Sequence, residues 1–325
     1  MTYIELPDHG QRDVSFYLSM EEYVAHHVDA ADCFFMWQVE PSVIFGRNQV
    51  AEAEVNLDYC RRHGIRTFRR KSGGGCVYAD MGNVMMSYVT RGESVGFTYN
   101  KYVTTLLLAF RRIGINATAS GRNDILVDGG KVSGSAFYQT HGHSIVHGTL
   151  LYDTDMDNMT SAITPPSDKL QSKGVGSVRS RITLLKDHTD LSLGQLKDAL
   201  RRQLCDGSVT LTPADIRSIE AIEAEYKSAN FIFGKNPPYT VARKQRIEGV
   251  GTVEARIDLR GNTIRNVCFK GDYLPGEVPI ERLENALAGA ELTPARLTMA
   301  LAGGEAAAIR GMQTEALISL LTNKT

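Results

Sequence analysis

This sequence predicts an α+β fold in two units, and three observations carry that expectation. Strand-like and helix-like stretches alternate irregularly instead of in a regular βαβ series. Two glycine-marked hairpin turns, Asp128-Gly129-Gly130 and Gly261-Asn262, lie far apart in the chain. The adjacent prolines of NPPYT, residues 236–240, mark a boundary in a chain of 325 residues. That length exceeds the roughly 250–300 residues at which a single core stops growing. The expected division is 1–240 for a large unit and 241–325 for a small one.

Taken in order, LSMEEYVAHHVDA reads as a helix, and FFMWQV and SVIFG as strands broken at Glu40-Pro41. VNLDYCRRHG is helical and closed by Gly64, and IRTFRR is a strand leading into three consecutive glycines. VMMSYV is the next strand, and TYNKYVTTLLLAFRRIG is the clearest helix, stopped by Gly114. RNDILVDGGKVSGSAFYQ forms the first hairpin, SIVHGTLLYD another strand, and LSLGQLKDALRRQL an amphipathic helix. Between the last two, TPPSDKLQSKGVGSVRSR has little periodicity and many turn residues, so a long loop is expected. The small unit holds the second hairpin, GTVEARIDLRGNTIRNVCFKG, and three short amphipathic helices. No internal repeat or low-complexity segment interrupts the pattern.

Composition narrows the function classes. A net charge of −1 gives no global basic excess for nucleic acid, so any anion site must be local. No apolar run approaches the ~20 residues of a membrane span, and the N-terminal stretch lacks a signal-peptide pattern. Five scattered cysteines without a CxxC pair point to free thiols and a cytoplasmic setting.

Three stretches could carry chemistry. RRKSGGGCVYADMGN places Arg69, Arg70 and Lys71 before Gly73, Gly74 and Gly75. Each glycine costs roughly 0.5–1 kcal/mol of backbone entropy relative to alanine. Such a loop is either a tight turn with solvated cations or a backbone cradle for a carboxylate or phosphate; its spacing fits neither a P-loop nor a dinucleotide fingerprint. GRNDILVDGGKVSGSA sets Asn123 and Asp124 on one hairpin arm and Lys131 on the other. It is either a hairpin with a surface lysine or a grip on a metal-bound phosphate, with Asp124 holding Mg²⁺. HGTLLYD puts His147 before a strand glycine, as a packed core histidine, a hydrogen-bond donor or a general base.

The order of these blocks resembles the lipoate–protein ligase A family over most of residues 30–185, with a looser likeness of the small unit to the accessory domain of two-domain bacterial ligases. The resemblance implies a catalytic domain of the biotin/lipoate ligase, class II synthetase-like kind, with a mainly antiparallel sheet. It implies ATP-dependent activation of lipoate to lipoyl-AMP, with Mg²⁺, and transfer to one lysine of a lipoyl domain on 2-oxoacid dehydrogenase complexes or the glycine-cleavage H protein. By the same resemblance Lys131 is the catalytic lysine between carboxylate and α-phosphate. Arg70, Ser72, Gly73, Gly74 and Gly75 hold lipoate; Val77, Tyr78, Asn123, Asp124, Ser135, Ala136 and His147 line the adenylate pocket. The first helix and Trp37 wall the apolar tail, and residues 164–181 close over the adenylate as a lid.

The chain departs from the family pattern at Ala79, where several members carry histidine, and at Tyr138, where some carry arginine. An octanoyltransferase working through a cysteine thioester is the nearest rival, and after HGTLLYD the stretch ITPPSDKL offers it no cysteine. Biotin–protein ligase lacks a counterpart here to its GRGRxGRxW-type loop. A non-catalytic lipoyl-domain-binding subunit is the third alternative.

Overall fold

The computed structural model describes residues 1–8, 10–49, 51–92, 95–120, 123–163, 181–233 and 241–322. The lid expected at 164–181 therefore falls outside the described residues except for Arg181.

The chain opens with β1 (Thr2–Glu5) and α1 (Val14–His27), followed by β2 (Asp32–Trp37) and β3 (Ser42–Phe45). Then come α2 (Ala51–Glu54), α3 (Leu57–Arg62), β4 (Arg66–Arg69), β5 (Val77–Ala79) and β6 (Asn83–Arg91). α4 (Val95–Arg112) leads to β7 (Ala117–Ser120), β8 (Asp124–Val127), β9 (Gly130–Thr140) and β10 (His143–Leu151). α5 (Met156–Ala162), α6 (Leu193–Leu204), β11 (Gly207–Thr210), α7 (Pro213–Lys227) and α8 (Ala229–Phe233) follow. The remainder is β12 (Val241–Ile247), β13 (Gly251–Arg260), β14 (Thr263–Gly271), α9 (Ile280–Leu287), α10 (Pro294–Ala300) and α11 (Thr314–Thr322).

The main sheet has the order β11-β1-β2-β6-β10-β9-β8-β7. From β2 to β7 every pairing is antiparallel; β1 adds to β2, and β11 to β1, in parallel. The expected α+β architecture with a mainly antiparallel sheet is thus observed. A second sheet, β4-β3-β5, carries the glycine loop, and β12-β13-β14 forms the third.

Local chemistry explains the turns that matter. Asp128 and Gly129 have φ of 48° and 81°, so the hairpin that bears Lys131 turns through the left-handed region. Ile125 pairs with Ser133 but Leu126 with Lys131, so the extra residue Val132 bulges β9 beside Lys131.

Among the elements that the sequence pattern misses are β1, β7, α5, β11, α7 and β12, and it starts the first helix four residues too late. α1 is buried nearly all round, so its pattern lacks the one-sided stripe of a surface helix. One side meets the sheet and α7 covers another, where Ser15 Oγ donates to Glu223 at 2.7 Å. The cores divide in the same way. Leu18, Trp37 and Ile145 pack on the α1 face, whereas Phe34, Phe137 and Leu196 pack on the α4 face. Val253, Phe269, Leu283 and Leu317 belong to a core made wholly of residues beyond 246. Among the described residues no helix is long and apolar enough to cross a membrane.

Candidate functional site

One cleft gathers residues from β3, β5, β8, β9, β10 and the glycine loop. Its lining includes Arg70, Gly74, Gly75, Val77, Tyr78, Asn123, Asp124, Lys131, Ser135, Ala136 and His147. Of the residues expected at a site, Ser72 and Gly73 alone stand behind the lining. Apolar side chains, among them Leu18, Trp37, Ile44 and Met85, share the cleft with these polar groups.

Lys131 lies at the start of β9, and its Nζ is 2.8 Å from Asp124 Oδ1. A Cβ added to Gly134 would sit 2.6 Å from that Nζ, so the glycine makes room for the ammonium across the strand. Asp124 also pairs with Arg181, the last residue of the expected lid segment. Thr183 N donates to the Lys131 carbonyl at 3.0 Å, which ties the far end of that segment to β9. Asn123 Nδ2 donates to the Ser135 carbonyl and Ser135 N returns a bond to Asn123 O, at 2.8 and 2.9 Å. Ser135 Oγ is buried beside the Tyr102 hydroxyl.

The cations of the glycine loop behave differently. Arg69 donates to the carbonyls of Gly46, Arg47, Gln49 and Ile232. Arg70 donates to Ile44 O, Gly73 O, Gly75 O and Ser72 Oγ at 2.6–3.0 Å. Burial pushes the Arg70 pKa down to about 10, against the pull of Cys76 and Glu21, and the guanidinium stays charged at neutral pH. Lys71 pairs with Glu22 and Glu225. These cations hold the chain in shape, and Arg70 presents to the cleft a guanidinium whose donors already serve the loop.

Two of the glycines have a second reason to be glycine. A Cβ on Gly73 would meet the Tyr273 carbonyl at 2.5 Å, and Gly74 N donates to that same carbonyl at 3.1 Å with φ of +87°. The segment after β14 thus packs directly on the loop, and its Leu274 is buried in the core on the α4 face. Asp272 of this segment lines the cleft. Loop sequence alone carried no signal for this contact.

His147 is the centre of a buried chain. Its Nδ1 faces the fully buried Glu21 carboxylate at 2.9 and 3.0 Å, and its Nε2 lies 2.6 Å from Ser72 Oγ. The carboxylate requires Nδ1–H, so a neutral ring accepts the Ser72 proton at Nε2 while Ser72 Oγ accepts from Arg70 Nε. Ser87 Oγ donates to Glu21 and Trp37 Nε1 donates to Ser87, extending the chain beneath the apolar wall. Sequence reading missed Glu21 and Ser87. The available signal was an acidic residue on the inner face of an otherwise buried helix.

At the two positions that depart from the family pattern, Ala79 is fully buried and Tyr138 packs beside His147, ring centres 6.1 Å apart. Cys76 lines the cleft, and its Sγ donates to Gln49 Oε1 at 3.4 Å.

Residues 13–205 match the lipoyl protein ligase A/B catalytic domain family, and residues 236–321 match the bacterial lipoate protein ligase C-terminus. The chain belongs to the lipoate–protein ligase family. It is 33% identical over 284 residues to a lipoate-protein ligase of Bacillus subtilis, covering 84% of this chain and 85% of that one. A Streptococcus pyogenes lipoate–protein ligase is 31% identical over 90% of this chain and 91% of its own. Among solved structures, P. falciparum LipL1 in complex with lipoate has a TM-score of 0.78 at 17% identity, covering 99% of both chains. A lipoate-protein ligase A bound with ATP has a TM-score of 0.63 at 23% identity, covering 72% of this chain and 98% of that one. At such identities these structures establish the fold alone.

Proposed function

We propose that this lipoate–protein ligase activates lipoate with ATP and transfers the lipoyl group to a lysine of an apo lipoyl domain. A lipoate carboxylate oxygen attacks the α-phosphorus of ATP, and the bond to pyrophosphate breaks, leaving lipoyl-AMP. The acceptor ε-amine then attacks the lipoyl carbonyl, an amide forms, and AMP leaves with the electron pair.

The single observation that carries this reading is Lys131, set across Gly134 in a cleft with both apolar and polar walls and held by an exchangeable carboxylate. Two anions must meet in the first step, and a fixed ammonium between them offsets their repulsion and stabilises the crowded transition state. Asp124 suits a Mg²⁺ that arrives with the nucleotide, because that ion takes one or two protein carboxylates together with phosphate oxygens. Asp124 would then trade Lys131 and Arg181 for the metal, freeing both cations for phosphoryl oxygens. Arg70 and Ser72 shape the carboxylate end through the loop, with Gly74 and Gly75 against the ligand. Val77, Tyr78, Asn123, Ser135, Ala136 and His147 line the remainder.

Residues 1–240 act in this reading as the catalytic unit and 241–325 as the accessory unit, and the separate core beyond residue 246 supports that division. Acceptors are lipoyl domains of 2-oxoacid dehydrogenases and the glycine-cleavage H protein, in the cytoplasm. The test is a mass measurement on an apo lipoyl domain incubated with enzyme, ATP, Mg²⁺ and lipoate, each omitted in turn. Lipoylation that needs all of them is expected. Acyl transfer from acyl carrier protein without ATP, abolished in Cys76→Ala, would favour the thioester chemistry instead.

A further inference from the structure

Arg310, beyond the boundary at NPPYT, has no counter-charge among the described residues. Its guanidinium makes no ion pair or hydrogen bond there, and its Nη1 is buried. The planar group lies instead over two rings of the large unit, 5.1 Å from the centre of Phe137 and 5.4 Å from that of Tyr99. Aromatic faces attract a cation, but a buried N–H without an acceptor costs stability. The cations around the cleft differ. Lys131 and Arg181 meet Asp124, Lys71 meets two glutamates, and Arg70 donates into its own loop.

The backbone fixes where Arg310 stands. Its N donates to Leu274 O at 3.0 Å and Gly276 N donates to Ala308 O at 2.9 Å, a short antiparallel tie onto the segment after β14. A Cβ on Gly276 would meet the Ala307 carbonyl at 1.7 Å, so the tie is close-packed. Leu274 is buried in the core on the α4 face, and Gly74 of the glycine loop lies beside it. Phe137 directly follows Ala136, which lines the cleft. Tyr99 connects the guanidinium to the phosphate end. Burial pushes the Tyr99 phenol up to about 12; the charge of Arg310 opposes that rise and the charge of Asp124 adds to it. Both groups therefore lie within Coulomb reach of one hydroxyl, with Arg310 just outside the lining of the cleft.

We propose that Arg310 binds the β- and γ-phosphoryl oxygens of the nucleotide and holds the departing pyrophosphate. The proposal rests on the ATP-dependent reading given above. There Lys131 meets the α-phosphate, so the outer phosphates extend past Asp124 toward the rim. A guanidinium fork engages two phosphate oxygens at once and supplies the acceptors its own N–H groups lack. When the bond from the α-phosphorus breaks, the bridging oxygen keeps the electron pair and negative charge grows on pyrophosphate. A cation fixed beside it stabilises that charge. The second step starts from lipoyl-AMP, which has no β- or γ-phosphate, and makes no use of Arg310.

The test titrates the full-length protein with pyrophosphate and Mg²⁺ by calorimetry, and separately measures lipoate-dependent ATP–pyrophosphate exchange. Arg310→Gln should weaken pyrophosphate binding roughly ten- to a hundredfold, the range for losing a hydrogen bond to a charged group. The KM for ATP should rise with it, and the KM for lipoate should not. Arg310→Lys keeps the charge without the planar fork and should recover part of the loss. Transfer from added lipoyl-AMP should run at the wild-type rate in both variants, and exposed Arg296→Gln should change none of these values. Wild-type pyrophosphate affinity in Arg310→Gln, with only a lowered thermal midpoint, would make the residue a stacking contact and overturn the proposal. So would a wild-type protein that binds no pyrophosphate. Absent exchange in the wild type would sink the ATP-dependent reading, while the titration would still decide Arg310.

Discussion

Two basic clusters border the cleft, and they differ in what their charges touch. On the glycine loop, Arg69 and Arg70 donate to backbone carbonyls and to Ser72, partners that cannot leave without dismantling the loop. On the β8–β9 hairpin, Lys131 meets Asp124, a side chain able to rotate or take a metal instead. Both clusters read alike in sequence, as cations beside glycines. The difference teaches that a cation bound to main chain is architecture, whereas one bound to an exchangeable carboxylate is available for chemistry.

That contrast can be broken by substitution. Lys131→Ala should lower lipoate-dependent ATP–pyrophosphate exchange by roughly a hundred- to a thousandfold, the range for loss of one transition-state donor. Its urea midpoint should stay near the wild-type value. Near-normal exchange would remove Lys131 from the reaction. Arg70→Ala should instead destabilise the protein by ~3 kcal/mol or more in urea unfolding, because several buried carbonyls lose their donor. Its activity should fall in step with the folded fraction; full stability with lost lipoate binding would make Arg70 a ligand-binding residue first. Gly73→Ala should cost about 1–3 kcal/mol, as expected for overpacking against the Tyr273 carbonyl. A neutral result would show that the segment after β14 yields to the loop.

The smallest effect is expected at a pair remote from the cleft. Burial pushes the Asp32 carboxyl up, but hydrogen bonds from Thr90, Tyr88 and Lys101 outweigh it and hold its pKa below the usual value. A depressed folded pKa gives stability that is full above the unfolded value of about 3.9 and is lost as pH falls through the folded one. The gap in urea midpoint between wild type and Asp32→Asn should therefore be widest near neutrality and close below about pH 4. A gap that does not change with pH would mean that packing, not charge, explains the pair.

Much of the site was legible because its residues come in short runs. RRKSGGG, RNDILVDGGK and HGT each concentrate turn residues and charge within one local element, and spacing alone exposes them. The pairing of Glu21 with His147 and the seating of Tyr273 on the glycines were not legible, since each is a contact made across the fold. Glu21 is separated from His147 by 126 residues, and nothing near either one signals the pairing. The helix α7 escaped for a related reason. It covers one side of α1, a helix whose buried face is too broad to leave the usual stripe.

By itself, then, the sequence determined the hairpins, the glycine loop, the order of the blocks and the family they resemble. These follow from backbone sterics and local periodicity, which act over a few residues. Only the tertiary structure decided which cations are tied to main chain and which face a carboxylate partner. It alone also seated the segment after β14 on the glycines. Those outcomes depend on where distant hydrogen-bond acceptors come to rest once the cores have packed, and local propensity holds no record of that.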